Sequence, residues 1–444
     1  MDAAAGSERA PSASSALFTT TAANIAIPLS AFITSPILAR ALGPNGRGEM
    51  AAVLAPIALV TVLLTFGIPE SLTYHVATRK IGVVPAVRLG LVLGALSGVV
   101  AAGVIAALTP VVLAKYDDVQ RLSYALAATL PLIMGFGMWR HVAQGLGRFD
   151  IANRERWFWT TSRLVLLSVL ALAGVLGVTA AAWITHGTAV LATVMLFPVA
   201  RGAFGRTARA AAAATRRVDL RSLLRYGVRS WSGTLGYLML LKIDQVLIAP
   251  LAGARELGIY AVAAGAAELP GMGLAAVRDV MFATSAGRRD PLLAARASRA
   301  LVAVLTPLCV VAGVAAPLIV PLLFGERFDD SVVVLQLLLL AAIPGGVDVV
   351  LGAGLLASGR PGRRSIVQVV AAALLVVALV VLVPPHGALG GALAVLLART
   401  AGAVMTIVAT VRLTGLSPWQ CFVPRAADAR DVLQRLRSAL RRRR

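Results

Sequence analysis

Long apolar runs separated by short polar breaks fill this chain from residue 16 to residue 412. A helix needs about 20 apolar residues to cross roughly 30 Å of hydrocarbon. Twelve runs meet that length: 16–40, 50–76, 86–110, 122–143, 158–177, 180–203, 228–251, 258–283, 300–323, 332–356, 365–384 and 388–412. Gly and Pro recur inside them. Membrane helices tolerate both when neighbouring helices re-satisfy the freed backbone groups. The pattern predicts an all-α, polytopic membrane protein of twelve spans, with no room for a sizeable soluble domain.

The polar breaks repeat at an offset of 210 to 212 residues. Gly43-Pro-Asn-Gly-Arg-Gly48 aligns with Gly253-Ala-Arg-Glu-Leu-Gly258, Asp117-Asp118 with Asp329-Asp330, and Gly147-Arg148 with Gly359-Arg360. The chain therefore divides into an N-lobe of six spans (16–203) and a C-lobe of six spans (228–412), related as parallel repeats. A basic linker (204–227) joins them. Residues 1–15 read as a disordered lead-in, and 413–444 as a basic tail. In that tail Val432, Leu433, Leu436 and Leu440 recur at helical spacing among arginines, which suits a helix lying on a membrane surface. An internal duplication of membrane segments is the usual plan of a secondary transporter, with the substrate site between the repeats.

Composition agrees. Charged residues are 14% of the chain and apolar ones 58%, whereas a soluble domain carries about 25% charged residues. The net charge of +22 could suggest a nucleic-acid partner. Its distribution does not, because the basic residues fall in alternate loops and lack the aromatic interleaving of a nucleic-acid surface. Arg79-Lys80, Arg148 to Arg156, Arg206 to Arg229, Arg288 to Arg299 and Arg360 to Arg364 lie on one side. The intervening loops are nearly neutral or acidic. The positive-inside rule then puts both termini in the cytoplasm. Residues 1–15 lack the basic leader and cleavage site of a signal peptide. Cys309 and Cys421 form no metal spacing or disulfide framework. The four histidines are scattered, and no phosphate-binding P-loop occurs. Every loop assigned outside is short, which leaves no catalytic domain and argues against an enzyme.

Two segments carry a resemblance. The first is Leu38-Ala-Arg-Ala-Leu-Gly-Pro-Asn-Gly-Arg-Gly48. The second is Leu241-Lys-Ile-Asp-Gln-Val-Leu-Ile248 with Gly253, Leu257-Gly-Ile-Tyr260 and Glu268-Leu269. Together they resemble the polysaccharide biosynthesis proteins, oligosaccharide-lipid flippases of the multidrug/oligosaccharidyl-lipid/polysaccharide exporter superfamily. The resemblance implies a two-lobed transporter in a bacterial cytoplasmic membrane that moves lipid-pyrophosphate-linked oligosaccharide by alternating access. It also implies glycan-synthesis proteins as partners, alongside the anionic lipids of the inner leaflet. A drug or organic-cation antiporter of the same superfamily is the alternative, as is a flippase of lipid II-type precursors. The second is disfavoured by twelve spans where such flippases have more.

The duplication also sorts the membrane charges. A residue required by shared architecture should recur in both lobes. At an offset of 210, Lys242 faces Phe32, Asp244 faces Thr34, Glu268 faces Ala58 and Arg278 faces Ile68. At 212, Arg140 faces Gly352 and Asp348 faces Phe136. A charge at mid-bilayer costs at least about 2.5–3.5 kcal/mol, so such residues turn to the bundle interior or a wet cavity. Lys242, Arg278, Arg140 and Arg40 are accordingly the candidate substrate-phosphate ligands. Glu268, Asp244 and Asp348 are the candidate ion-coupling groups. With no nucleotide site or cofactor expected, the energy source would be an H+ or Na+ gradient, the membrane potential or the substrate gradient itself.

Overall fold

The computed structural model of the chain describes residues 13–114, 116–204, 219–285, 291–358 and 361–424. Among these residues the secondary structure is helical, with no strand. In chain order the α-helices are α1 (Ala13–Leu63), α2 (Ile68–Ala77), α3 (Val83–Val112), α4 (Asp117–Ala127), α5 (Leu130–Gly145), α6 (Phe149–Leu172), α7 (Val178–Ala192), α8 (Phe197–Phe204), α9 (Leu220–Ala252), α10 (Ala254–Ser285), α11 (Pro291–Phe324), α12 (Ser331–Ala357), α13 (Pro361–Thr414) and α14 (Trp419–Phe422). Residues 1–12, most of the linker and the tail beyond 424 lie outside the described residues, so the expectations for them do too. Helix α9 starts inside the segment read as linker.

A 51-residue helix such as α1 would be about 76 Å long at the helical rise, far beyond a bilayer. It breaks at Gly43, whose φ of 66° is open to glycine and costly for other residues. The 54-residue α13 breaks likewise at Gly387, φ 55°. Gly253 separates α9 from α10 at φ 93°, 210 residues after Gly43. The repeat thus carries its turn glycine in both copies. By length and apolarity, six described helices qualify as spans, or seven if the bent pair α4–α5, with 42° between its parts, counts as one. The figure of twelve rests on the alternation of basic loops and on dividing α1 and α13 at their glycines.

The surface is that of a protein solvated by lipid. Val314 is 78% exposed and Leu318 73% exposed on α11, beside Val310, Val311 and Leu322. Val377, Val380 and Val381 do the same on α13. An apolar surface this extensive marks a membrane environment rather than water. The interior is filled by Ala, Leu and Val, with Tyr260 and Phe328 as the largest fully buried side chains among the described residues.

Among the described residues the lobes meet at two places. At the first, the α1 hairpin crosses the α9–α10 hairpin backbone against backbone. A Cβ on Gly48 would fall on the Ala254 carbonyl, and one on Gly258 would fall on the Pro44 carbonyl. Gly48 and Gly258 are repeat mates, and so are Pro44 and Ala254. The contact is therefore a pseudo-two-fold crossing in which each lobe offers the same glycine to the same carbonyl position. Arg40 and Tyr116 reinforce this end. Arg40 Nε donates to the Leu323 carbonyl at 2.9 Å, and Ala254 N–H donates to Tyr116 Oη at 3.1 Å. At the second place, α2 lies on the start of α9. There Ser71 Oγ donates to the Leu223 carbonyl at 2.7 Å, and Tyr74 and Tyr226 stack at 4.4 Å.

Because the crossing has no space for a side chain, Gly48→Ala and Gly258→Ala should each destabilise the closed arrangement by about 1–3 kcal/mol. A Cβ on Gly103 meets nothing within 4 Å, so Gly103→Ala is the control. Thermal unfolding in detergent should show lowered midpoints for the first two and none for the third. Equal midpoints for all three would contradict the crossing.

Candidate functional site

A cavity of about 260 Å³ lies between the lobes. Ala31, Phe32 and Ser35 from the first half of α1 and Arg47, Ala51, Leu54, Ala55 and Ala58 from its second half line the N-lobe wall. Lys242 and Gln245 from α9 and Ala261, Gly265, Glu268 and Leu269 from α10 line the other wall. Small residues make the space: where two helices present Ala and Gly to each other, their surfaces leave a gap that longer side chains would fill. Three charged groups face it. Lys242 Nζ is 3.5 Å from Glu268 Oε1, and both side chains remain substantially exposed. Arg47 stands opposite them. Its Nε is buried without a hydrogen-bond partner, as is Ser35 Oγ.

Lys242 and Asp244 are two residues apart on α9, so one helix cannot turn both to the same side. The structure divides them. Lys242 lines the cavity. Asp244 is buried in the C-lobe, where Tyr260 Oη donates a short hydrogen bond to its Oδ2 and Gln245 N–H donates to Oδ1 at 2.8 Å. Arg399 lies near enough for its charge to act on Asp244 and Tyr260.

Arg140 and Asp348 do not line this cavity. Arg140 Nη2 pairs with Glu155 Oε1 at 2.6 Å, joining α5 to α6. Asp348 accepts from Arg364 Nη1 and from Thr406 Oγ1, joining α12 to both halves of α13. Gly352 makes room for that arginine, since a Cβ there would collide with the Arg364 guanidinium. The two lobes thus share one device with its polarity reversed: cation on the earlier helix in the N-lobe, anion on the earlier helix in the C-lobe. The pair also shifts by about one helical turn between lobes. Fixed-offset comparison sets Arg140 against Gly352 and Asp348 against Phe136, and so hides the equivalence. Arg40 is exposed and holds the hairpin crossing through the α11 carbonyls. The Arg278 side chain lies outside the described residues.

Sequence reasoning passed over Arg47 and Arg163. Arg163 on α6 lies behind the N-lobe wall. Its Nη2 donates to Ser30 Oγ at 2.9 Å, its guanidinium sits 5.4 Å from the Trp159 ring centre, and its Nε is buried without a partner. The repeat comparison contains the signal that finds both. Arg47 faces Leu257 at 210, and Arg163 faces Leu375 at 212. In the α5–α6 loop, by contrast, charges are paired. Arg148 Nε and Nη2 each donate to Asp150 at 3.0 Å, which with the arginine's charge holds that carboxyl below its ordinary range.

A second space, of about 610 Å³, opens between the lobes beside the hairpin crossing. Tyr116, Glu256 and His386 line it together with the ends of α3 and α9. Glu256 is engaged, accepting Ala388 N–H at 2.9 Å just after the Gly387 break. No cluster of His, Cys, Asp and Glu suited to a metal occurs among the described residues.

A duplicated helical bundle with a charged cavity between its repeats is a membrane transporter's architecture. The family model described as "Polysaccharide biosynthesis protein" matches residues 15–282, and the chain belongs to that family. Solved structures share the fold. An inward-facing multidrug resistance MATE family transporter of the MOP superfamily aligns over 89% of this chain and 98% of its own, at 16% identity and TM-score 0.70. The lipid II flippase MurJ in an inward closed conformation aligns over 89% and 87%, at 12% identity and TM-score 0.68. An outward-facing multidrug resistance MATE family transporter covers 90% and 96%, at 14% identity and TM-score 0.57. No curated protein matches the chain at a significant level.

The buried pair in the C-lobe gives a stability prediction. Asp348→Ala leaves the Arg364 cation buried without its carboxylate, which should cost about 3–5 kcal/mol. The double variant Asp348→Leu with Arg364→Met should recover most of that. Lys242→Gln, at a partly exposed pair, should change stability by about 0–1 kcal/mol. Chemical denaturation in detergent checks all three. Additive losses in the double variant would contradict the pairing.

Proposed function

We propose that this protein moves a lipid-pyrophosphate-linked oligosaccharide from the inner to the outer leaflet of a bacterial cytoplasmic membrane, for cell-surface polysaccharide synthesis. The observation that carries the reading is the interlobe cavity in which, among the described residues, Arg47 and Lys242 are set against the single carboxylate Glu268. A net positive cavity suits an anionic headgroup, and arginine matches phosphate oxygens with a planar fork. A cation exporter would call for carboxylates and aromatic faces; among the described residues Phe32 is the one aromatic residue lining the cavity.

In this reading the basic loops and both termini are cytoplasmic, and the hairpin crossing closes the outer side. The headgroup enters from the inner leaflet while the polyprenyl tail stays in lipid. The phosphates compete with Glu268 for Lys242. Entry requires the α2–α9 contact to part, and release follows when that contact re-forms and the crossing at Gly48 and Gly258 separates. Glu268, freed from Lys242, and Asp244, held by Tyr260, are the groups that would take up a coupling H+ or Na+. Glycan-synthesis enzymes on the cytoplasmic face would supply the substrate.

The test is a flipping assay on lipid-linked oligosaccharide in proteoliposomes, with protein level and orientation controlled. Loss of one charge-assisted contact of about 1.5–3 kcal/mol should lower flux about tenfold or more in Lys242→Ala and in Glu268→Ala. Insertion should be undiminished, because removing an intramembrane charge makes it easier. Wild-type flux in both variants would refute the role given to this ion pair.

A further inference from the structure

Two non-glycine residues among those described have a positive φ, Phe66 at 47° and Arg79 at 55°. They bracket the same short helix, α2 (Ile68–Ala77), which forms the N-lobe side of the α2–α9 contact. A left-handed backbone is costly for a residue with a side chain, and most of all for a bulky one. It persists where surrounding contacts hold it in place.

The two residues are held differently. Arg79 belongs to the end of its own helix: its N–H donates to the Val76 carbonyl at 3.0 Å, and Lys80 N–H donates to the His75 carbonyl at 2.9 Å. Nothing in that cap depends on the other lobe. Phe66 is held from across the interface. Its ring lies 5.5 Å from that of Trp231 on α9. The next residue, Gly67, meets α9 backbone to backbone, since a Cβ on it would fall 2.1 Å from the Gly227 carbonyl. Trp231 is under strain of another kind, because its Nε1 is buried without a hydrogen-bond partner, and an unpaired buried donor is unfavourable. The repeat does not require the break. Phe66 and Gly67 face Ala276 and Val277 at an offset of 210, where α10 continues as helix. The outer hairpin crossing carries no such cost, because its left-handed residues are Gly43 and Gly253.

We propose that α2 is a sprung flap at the inner end of the interlobe space, with Phe66 as its spring and Trp231 as its catch. The closed contact is the strained one. When α2 leaves α9, Phe66 can return to an ordinary backbone conformation and the indole N–H can find an acceptor. The inner end therefore opens before the outer crossing, and its closure has to be driven by what fills the cavity. That role rests on the alternating-access reading above; the strain itself does not.

The experiment uses the full-length protein in nanodiscs without substrate. Spin labels at Ala77 and Arg221, both exposed, report the flap, with the buried Cys309 and Cys421 replaced by alanine. Labels at Asn45 and Arg255 report the outer crossing. Wild type should show short and long distances at the inner pair and one short distance at the outer pair. Phe66→Ala and Phe66→Gly both lose the ring, but only glycine removes the left-handed cost. The closed-to-open ratio should therefore be about fivefold or more higher in Phe66→Gly than in Phe66→Ala. Trp231→Phe keeps a ring and removes the unpaired donor, so it should favour the closed form about threefold or more over wild type. Gly67→Ala should give the long distance alone. Arg79→Gly relieves its residue in both states and should leave the distribution unchanged.

Equal ratios in Phe66→Ala and Phe66→Gly would overturn the flap. So would a shift in Arg79→Gly as large as that between those two variants, a more open Trp231→Phe, or a wild type with only the short inner distance. Wild type that flips lipid-linked oligosaccharide while the Phe66 variants share one distribution would sink the spring and leave the transport reading. The ordered distributions in a protein that flips none would do the reverse.

Discussion

The close crossing of the two hairpins is the contact on which the rest of this architecture depends. Gly48 against the Ala254 carbonyl and Gly258 against the Pro44 carbonyl bring two helix pairs to backbone distance. In a bilayer no hydrophobic force drives helices together, because lipid is as apolar as a leucine surface. Close packing of small residues supplies the attraction instead, and it is strongest where backbones touch. The crossing closes one end of the interlobe space. Further along the same helices, Ala51, Ala55, Ala58, Ala261 and Gly265 line a cavity between them.

Charge is placed around that cavity by a simple division. Ion pairs tie helices within one lobe: Arg140 with Glu155, and Asp348 with Arg364 and Thr406. Asp244 is likewise satisfied inside the C-lobe by Tyr260. The groups that face the interlobe space are loosely paired, as with Lys242 and Glu268, or have spare donors, as with Arg47. A buried ion pair contributes little net stability but is costly to break, so the intralobe pairs tie the helices of each lobe together. The loosely held groups are the ones free to exchange partners with a ligand.

The sequence made part of this legible. Membrane spans, the duplication and the turn glycines Gly43 and Gly253 were visible because each has a local cause: span length, repeat register and a backbone that needs positive φ. The separation of Lys242 from Asp244 followed from helical periodicity alone. Arg140 and Asp348 were singled out by asking which charges lack a counterpart at fixed offset. That comparison fails when an ion pair moves by a turn and reverses sign between repeats, because neither residue alone is conserved in place. Arg47 and Arg163 meet the same criterion, yet Arg47 hides in a polar break and Arg163 lies only a few residues beyond a basic loop. Their significance is in what surrounds them: a cavity wall, a bound serine and, among the described residues, no carboxylate partner. No spacing along the chain encodes that.

The central claim is that a pyrophosphate-bearing lipid in the cavity opens the hairpin crossing. Asn45 and Arg255 are exposed on the two hairpins and accept spin labels without touching the glycine contact. Pulsed electron–electron double resonance between these labels, in nanodiscs, reports the state of the crossing directly. The account predicts a single short distance without ligand and a second, longer population when a polyprenyl pyrophosphate-linked oligosaccharide is added. One unchanged short distance under saturating lipid would contradict it.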